Sequence, residues 1–276
     1  MTEPRSWLFV PADSERKITK ALESDADAVI FDLEDSVAPV QKATARDILK
    51  NLPKRSNGPQ WWVRVNPLGS EFHKEDLKLI SSAYVHGIVL PKAESGADVT
   101  QLAHRTGNIP IHAIVTETAA SLFGLLSYRD PKTTLAAMSW GAEDLSAALG
   151  ASSKYDASGE LSFTYKLARS LCLAGAVAAG VQPVDGVFAD FRDEDGLRSE
   201  AEAARREGFT GKLAIHPDQV PVINFAFTPS EEEVKHAEEI VAAFEAHPDA
   251  GVLSVDGKMI DRPHLMQARR ILERAR

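Results

Sequence analysis

Residues 27–35 read Asp27-Ala28-Val29-Ile30-Phe31-Asp32-Leu33-Glu34-Asp35, four apolar residues running straight into three acids within four positions. An unbroken apolar run of this length reads as a strand buried on both faces, as a parallel sheet requires. Working outward, runs of the same kind recur at 7–10, 61–65, 87–90, 111–115, 136–140, 184–188 and 213–215, which makes eight strand candidates. Helix-length amphipathic stretches lie between them, from Glu15 to Leu22 and at 41–50, 71–83, 95–106, 118–127, 165–179 and 196–208. Eight alternations are the number that closes a (β/α)8 TIM barrel, an α/β fold. The rival is an open doubly wound sheet. No G-x-G-x-x-G follows the first strand, so its dinucleotide-binding form loses support.

Past His216-Pro217 the pattern changes. Residues 230–246 read as an acidic-starting helix with Ser230 and Glu233 placed for a capping box. After the breaker at 247–251, residues 252–260 read as a hairpin turning at Asp256-Gly257, and a last helix starts near Arg262. The expected organisation is a barrel over residues 1–225 and a C-terminal helical extension over 226–276.

The 276 residues carry 31 basic and 40 acidic side chains, a formal charge of -9, which argues against a general nucleic-acid or anionic-membrane binder. One cysteine, Cys172, excludes an internal disulfide framework and a cysteine-rich zinc site, and its apolar helical setting reads as packed rather than reactive. No apolar run is long enough to span a bilayer, and the start lacks the pattern of a signal peptide. The expectation is a cytoplasmic protein.

In a barrel the polar residues at strand ends are the ones to weigh. Asp32, Glu34 and Asp35 follow the second strand, and as a group they either act in a site or cap the next element. Arg64 interrupts the apolar run Trp61-Trp62-Val63-Arg64-Val65 and needs an anionic partner there. That partner is either Glu34 or Asp35 in a structural pair, or a substrate carboxylate held bidentately. Lys92 follows the fourth strand, Glu117 the fifth and Asp144 the sixth. Glu117 and Asp144 come from consecutive strand ends, and two hard oxygen ligands with open positions suit Mg2+. Taken singly, Glu117 reads as a helix N-terminal acid and Asp144 as an N-cap. His216, before Pro217, reads most simply as a residue hydrogen-bonded to backbone.

These residues, in this order, resemble the citrate lyase β-subunit family, or CitE-like proteins, of the HpcH/HpaI aldolase group. The resemblance rests on 5–11, 27–37, 63–66, 90–94, Glu117-Thr118, 141–145, 215–217 and 256–263, stretches that span nearly the whole chain. It implies a Mg2+-dependent TIM barrel acting on acyl-CoA thioesters, usually a homotrimer or a multiple of one, that cleaves or forms a bond between acetyl-CoA and an α-keto acid. By motif position Glu117 and Asp144 would hold the metal and Arg64 the keto-acid carboxylate. Glu34 and Asp35 join Arg64 as catalytic candidates, while Lys92, Phe9 and Pro11 join Glu117 and Arg64 in substrate binding. In malyl-CoA lyases the tail Asp, here Asp261, acts as acid/base in a neighbouring subunit's site. Asp261 could equally cap the final helix.

Arg16, Lys17 and Lys20 after the first strand are candidates for the CoA phosphates, with a solvated helix face as the alternative. One departure is Ala12, where many relatives carry glycine; its Cβ tolerates positive φ poorly. Competing readings share the site. One is a malate-synthase-like or thioesterase activity on malyl-CoA; another is a β subunit that works only beside acyl-carrier and transferase subunits. A class II 2-oxo-acid aldolase would use a histidine near the early strands, and none precedes His73. A phosphatase-type Asp nucleophile in Asp32-Leu33-Glu34-Asp35 is the remotest.

Overall fold

The computed structural model describes residues 3–54, 57–129 and 134–275. The chain divides into two compact units, Met1–Asn224 and Phe225–Arg276. In the first, β1 (Ser6–Pro11), β2 (Ala28–Asp32), β3 (Gln60–Arg64), β4 (Gly87–Leu90), β5 (Ile111–Ile114), β6 (Leu135–Ser139), β7 (Gln182–Asp185) and β8 (Gly211–Ala214) form a closed parallel barrel. Each strand pairs with its neighbours in sequence, and β8 returns to β1. That removes the open-sheet alternative.

Between and after the strands run α1 (Glu15–Leu22), α2 (Lys42–Lys50), α3 (His73–Ile80), α4 (Gly96–Thr106), α5 (Ser121–Gly124), α6 (Ala142–Leu149), α7 (Phe163–Ala179), α8 (Glu194–Glu207) and α9 (Gln219–Phe227). α1 shows the logic of the ring. Ser14 caps it by accepting from the Lys17 backbone N–H, and Ile18, Ala21 and Leu22 turn inward at helical spacing.

Inward-facing residues alternate along each strand and fill the barrel with a solid core: Trp7, Ala28, Ile30, Trp62, Val89, Ile114, Ala137, Val184 and Leu213. Large and small residues offset one another. Trp62 lies opposite Gly87, where a Cβ would come within 2.2 Å of the indole ring, so only glycine leaves it room. Trp7 meets Trp62 edge-on at 4.9 Å between ring centroids and His112 at 4.6 Å. His112 is fully buried, neither ring nitrogen has a hydrogen-bond partner among the described residues, and burial pushes its pKa down to about 3.

Several local expectations are corrected. The seventh strand starts two residues before the apolar run at 184–188, because Pro183 sits within it opposite Met138, its carbonyl accepting from Thr210. A proline near a strand's start forfeits only one donor. The helix expected at 118–127 is one turn, α5, followed by a 3-10 segment at Leu125–Arg129. Gly124 presses there on the Glu94 carbonyl. α6 and α9 have no counterpart in the sequence reading.

The second unit contains α10 (Glu231–Ala246), the hairpin β9 (Val252–Val255) and β10 (Lys258–Asp261), and α11 (Arg262–Arg274). The Ser230–Glu233 capping box forms. Asp256 and Gly257 both take positive φ, 48° and 74°, as a two-residue hairpin turn requires. A separate small core of Ala237, Ile240, Phe244, Ile260, Leu265 and Ala268 holds the unit together.

Candidate active site

Arg64 ends β3 two residues past Trp62 and so shares its inward face. Asp32 ends β2 at the same level in the register. The two form a fork, with Arg64 Nε donating to Asp32 Oδ1 at 2.7 Å and an NH2 hydrogen to Oδ2 at 2.6 Å. Arg64 NH1 lies 3.0 Å from Glu34 Oε2, and the guanidinium stands 4.8 Å over the Phe9 ring. Burial alone would raise the Asp32 carboxyl, but Arg64 and the N–H groups of Glu34 and Ser36 hold it below its ordinary range. Sequence reasoning named Glu34 or Asp35 as the structural partner. The structure makes Asp32 the main one with Glu34 beside it, and gives Asp35 to Lys92. Two of the five guanidinium N–H groups are hydrogen-bonded to Asp32 in this way, and the contact with Glu34 is one of charge, so among the described residues the guanidinium keeps donors for a ligand.

The turn carrying Glu34 is braced from below. Lys42, buried, donates to the carbonyls of Leu33 at 2.7 Å and Glu34 at 3.0 Å, and Asn66 donates to Leu33 O at 3.0 Å. Neither residue was singled out from the sequence. Nine positions separate Lys42 from Leu33, so only the fold brings them together.

Lys92, after β4, is one of two non-glycine residues with positive φ among those described, at 53°. An uncommon backbone state of this kind clusters at functional sites. Its ammonium contacts Glu34, Asp35 at 3.1 Å and Asp144 at 3.2 Å, and its backbone N–H donates to Glu117 Oε2 at 2.5 Å. Glu117 follows β5, is nearly fully buried, and packs against Gly141, where a Cβ would lie 2.8 Å from its Cγ. Asp144 sits in the first turn of α6, whose cap position is taken by Gly141, so Asp144 is not the N-cap. The residue before that cap, Trp140, donates its indole N–H to Asp185, itself held by Arg169 and Lys212.

Burial pushes the Glu117 pKa up to about 8, and Asp144 adds to the rise against the Lys92 N–H and the charges of Arg64 and Lys92. Five carboxylates, Asp32, Glu34, Asp35, Glu117 and Asp144, share this mouth with three cations, Arg64, Lys92 and Lys42. With Glu117 protonated the surplus is one negative charge and with Glu117 ionised it is two, and a divalent cation would relieve both the surplus and the reluctance of the buried carboxyl to ionise. Glu117 and Asp144, both hard oxygen donors, fit Mg2+.

Other candidates are placed more simply. Pro11 ends β1 opposite Asp32, and Ala12 takes no positive φ, so its Cβ costs nothing there. Arg16, Lys17 and Lys20 lie exposed on α1 and contact none of the mouth residues just described. His216 stacks on Phe191 at 4.5 Å, and its Nδ1 accepts from the Asp218 backbone N–H at 3.3 Å. Cys172 is fully buried, which pushes its thiol up and makes it inert. Asp261, in the second unit, caps α11.

Comparison with known proteins identifies the family. The family model of HpcH/HpaI aldolase/citrate lyase matches residues 5–217. A (3S)-malyl-CoA thioesterase of Cereibacter sphaeroides is 37% identical over 98% of this chain and 94% of its own. A mitochondrial citramalyl-CoA lyase of Rattus norvegicus is 35% identical over 97% of this chain and 85% of its own. The crystal structure of CitE from Mycobacterium tuberculosis with magnesium, acetoacetate and coenzyme A superposes with a TM-score of 0.84 at 37% identity, covering 98% of this chain and 97% of that one. The chain belongs to the HpcH/HpaI aldolase/citrate lyase family.

Proposed function

We propose that the chain is a Mg2+-dependent carbon–carbon lyase that splits an acyl-CoA thioester of the malyl-CoA, citramalyl-CoA or citryl-CoA type into acetyl-CoA and an α-keto acid. The observation that carries this is one mouth holding both an acid pair suited to a divalent cation and an anchored arginine with donors to spare. Relatives named for malyl-CoA and citramalyl-CoA, and a solved relative with magnesium and coenzyme A bound, support it.

Glu117 and Asp144 would hold the Mg2+ ion, which when bound polarises the substrate's oxygen as a Lewis acid. Arg64, kept rigid by Asp32, orients the acid carboxylate through its remaining N–H groups. Lys92 offsets part of the charge of Glu34 and Asp35 beside it. Asp261 takes the hydroxyl proton as general base; the carbon–carbon bond breaks, its electron pair passes to the thioester, and protonation there yields acetyl-CoA. Residues 226–276 act as a lid that brings Asp261 to the site of a neighbouring copy in a homotrimer. Arg16, Lys17 and Lys20 face the CoA phosphates, and the reaction runs in the cytoplasm.

A second reading uses the same residues. The Cereibacter relative is named as a thioesterase, and water attack on the thioester would release free CoA instead of acetyl-CoA. Incubating malyl-CoA, citramalyl-CoA and citryl-CoA with Mg2+ or with EDTA, and separating the CoA products, decides the matter. Acetyl-CoA with a keto acid, formed only with Mg2+, is the expected result. Free CoA with the hydroxy acid would replace the lyase by the thioesterase. No turnover, with Mg2+ and CoA still bound, would make the chain a β subunit that needs an acyl-carrier partner.

A further inference from the structure

Asp261 closes β10 and caps α11, and His264 is the third residue of that helix. His264 Nδ1 lies 2.5 Å from Asp261 Oδ1 and 3.2 Å from the Asp261 backbone nitrogen. A carboxylate oxygen and a bare imidazole nitrogen are both acceptors, so a separation of 2.5 Å requires a proton between them. A nitrogen that carries this proton cannot also accept the Asp261 N–H. The two contacts are therefore alternatives. A bare nitrogen serves the helix cap, and a protonated one serves the carboxylate.

Capping alone explains the longer contact and leaves the shorter one without a reason. The adjacent cation is committed elsewhere, since Arg262 donates to Pro248 O at 2.7 Å and lies over the Phe244 ring. Among the described residues, His264 is the partner of the Asp261 side chain. Both residues remain partly exposed, with 45% of the His264 side chain and 35% of the Asp261 side chain open, and the Asp261 carboxylate also accepts the His264 backbone N–H as part of the cap.

We propose that His264 is a positioning residue for the reaction: its Nδ1–H holds Asp261 Oδ1 and leaves Oδ2 as the oxygen that receives the substrate proton. This rests on the reading of Asp261 as the general base. The His264 bond replaces solvent at one oxygen and fixes the direction in which the other points.

Two substitutions separate holding from capping. His264→Glu keeps the acceptor that an ordinary capping box uses at this helix position but cannot donate to a carboxylate. His264→Asn keeps a donor without the ring. In the full chain with Mg2+ and malyl-CoA or citramalyl-CoA, H264E is expected to lower kcat roughly tenfold or more, the size of one charge-assisted hydrogen bond, with KM and Tm unchanged. H264N should stay within about threefold of the parent, a loss well short of that bond. Full activity in H264E, or an equal loss in both variants, overturns the proposal. Asp261→Asn separates its failure from that of the underlying reading: an active D261N removes the general base itself, whereas an inactive D261N beside a fully active H264E removes only the role of His264. Nitrogen-15 NMR of the histidine ring gives a check that needs no substrate. A protonated, hydrogen-bonded Nδ1 in the parent, lost in D261N, supports the proposal, and a bare Nδ1 in the parent refutes it.

Discussion

His112 lies on β5, and Glu117 stands three residues beyond that strand's end, yet the same burial does opposite things to them. At the barrel floor His112 faces Trp7 and Trp62 with no counter-charge, and it is held neutral with a pKa of about 3. At the mouth Glu117 is buried among charges, and it stays protonated up to about 8 because burial and Asp144 outweigh the cations nearby. The floor is apolar and aromatic around an uncharged His112. The mouth gathers more carboxylates than cations. That contrast is the physical content of calling one end of the barrel core and the other a site.

The harshest way to break it is to remove the acids. Glu117→Ala or Asp144→Ala should weaken Mg2+ binding, followed by calorimetry, by at least about a hundredfold, the upper end of the effect of losing even an outer-sphere partner. Folding should survive, since both acids sit at a mouth that carries surplus negative charge. Unchanged Mg2+ affinity in both variants would return the pair to being helix-start acids. Next comes Gly87→Ala, which sets a methyl 2.2 Å from the Trp62 ring. The expected cost is about 3 kcal/mol, or some 5–10 °C in Tm, with Mg2+ affinity untouched. An unaltered Tm would mean that the floor is looser than its packing implies.

Much of this contrast was legible in the sequence. Apolar runs located seven of the eight strand ends to within one residue and overran the seventh by three, and Arg64 after Trp61-Trp62-Val63 announced a buried cation. What stayed hidden was pairing across strands. Asp32 and Arg64 are 32 residues apart and meet because β2 and β3 align them in register. Counting inward-facing positions on both strands would have found the pair; composition does not. Lys92 was readable as a strand-end residue, but its contacts with Glu34, Asp35 and Asp144 depend on barrel closure and on a positive φ that no local motif encodes. At the seventh strand the apolar run began at Val184, while the strand itself starts at Gln182 and includes Pro183.

Titration sharpens the comparison because the two ends have opposite signs. His112 has its folded pKa lowered from an ordinary 6.5, so its contribution is present above pH 6.5 and is lost as pH falls toward 3. Glu117 has its folded pKa raised from 4.5, so its contribution is present below pH 4.5 and is lost as pH rises through about 8. In EDTA, thermal melts of His112→Leu should differ from the parent in pH dependence between about pH 3 and 6.5, and those of Glu117→Gln between about pH 4.5 and 8. Each difference should amount to on the order of 5 kcal/mol across its window. A Glu117→Gln difference that is flat from pH 4.5 to 8 would show that Glu117 ionises normally and that the mouth has no need of a cation.

Gly141→Ala is the mildest change and the most pointed. Gly141 has φ -127° and ψ 105°, a conformation open to any residue, so alanine adds no backbone strain. Its methyl would meet Glu117 at 2.8 Å from Cγ and 3.2 Å from Oε1. Glycine thus does at the mouth what Gly87 does at the floor, leaving room for a neighbour's side chain. At the floor that neighbour is an indole packed in the core, and at the mouth it is the carboxylate proposed to hold Mg2+. Gly141→Ala should therefore raise the Kd for Mg2+ about tenfold, or roughly 1.4 kcal/mol, while Tm moves by only a degree or two. If it instead lowers Tm as Gly87→Ala does and leaves Mg2+ affinity alone, Glu117 is a packed acid, and the charge surplus at the mouth is balanced without it.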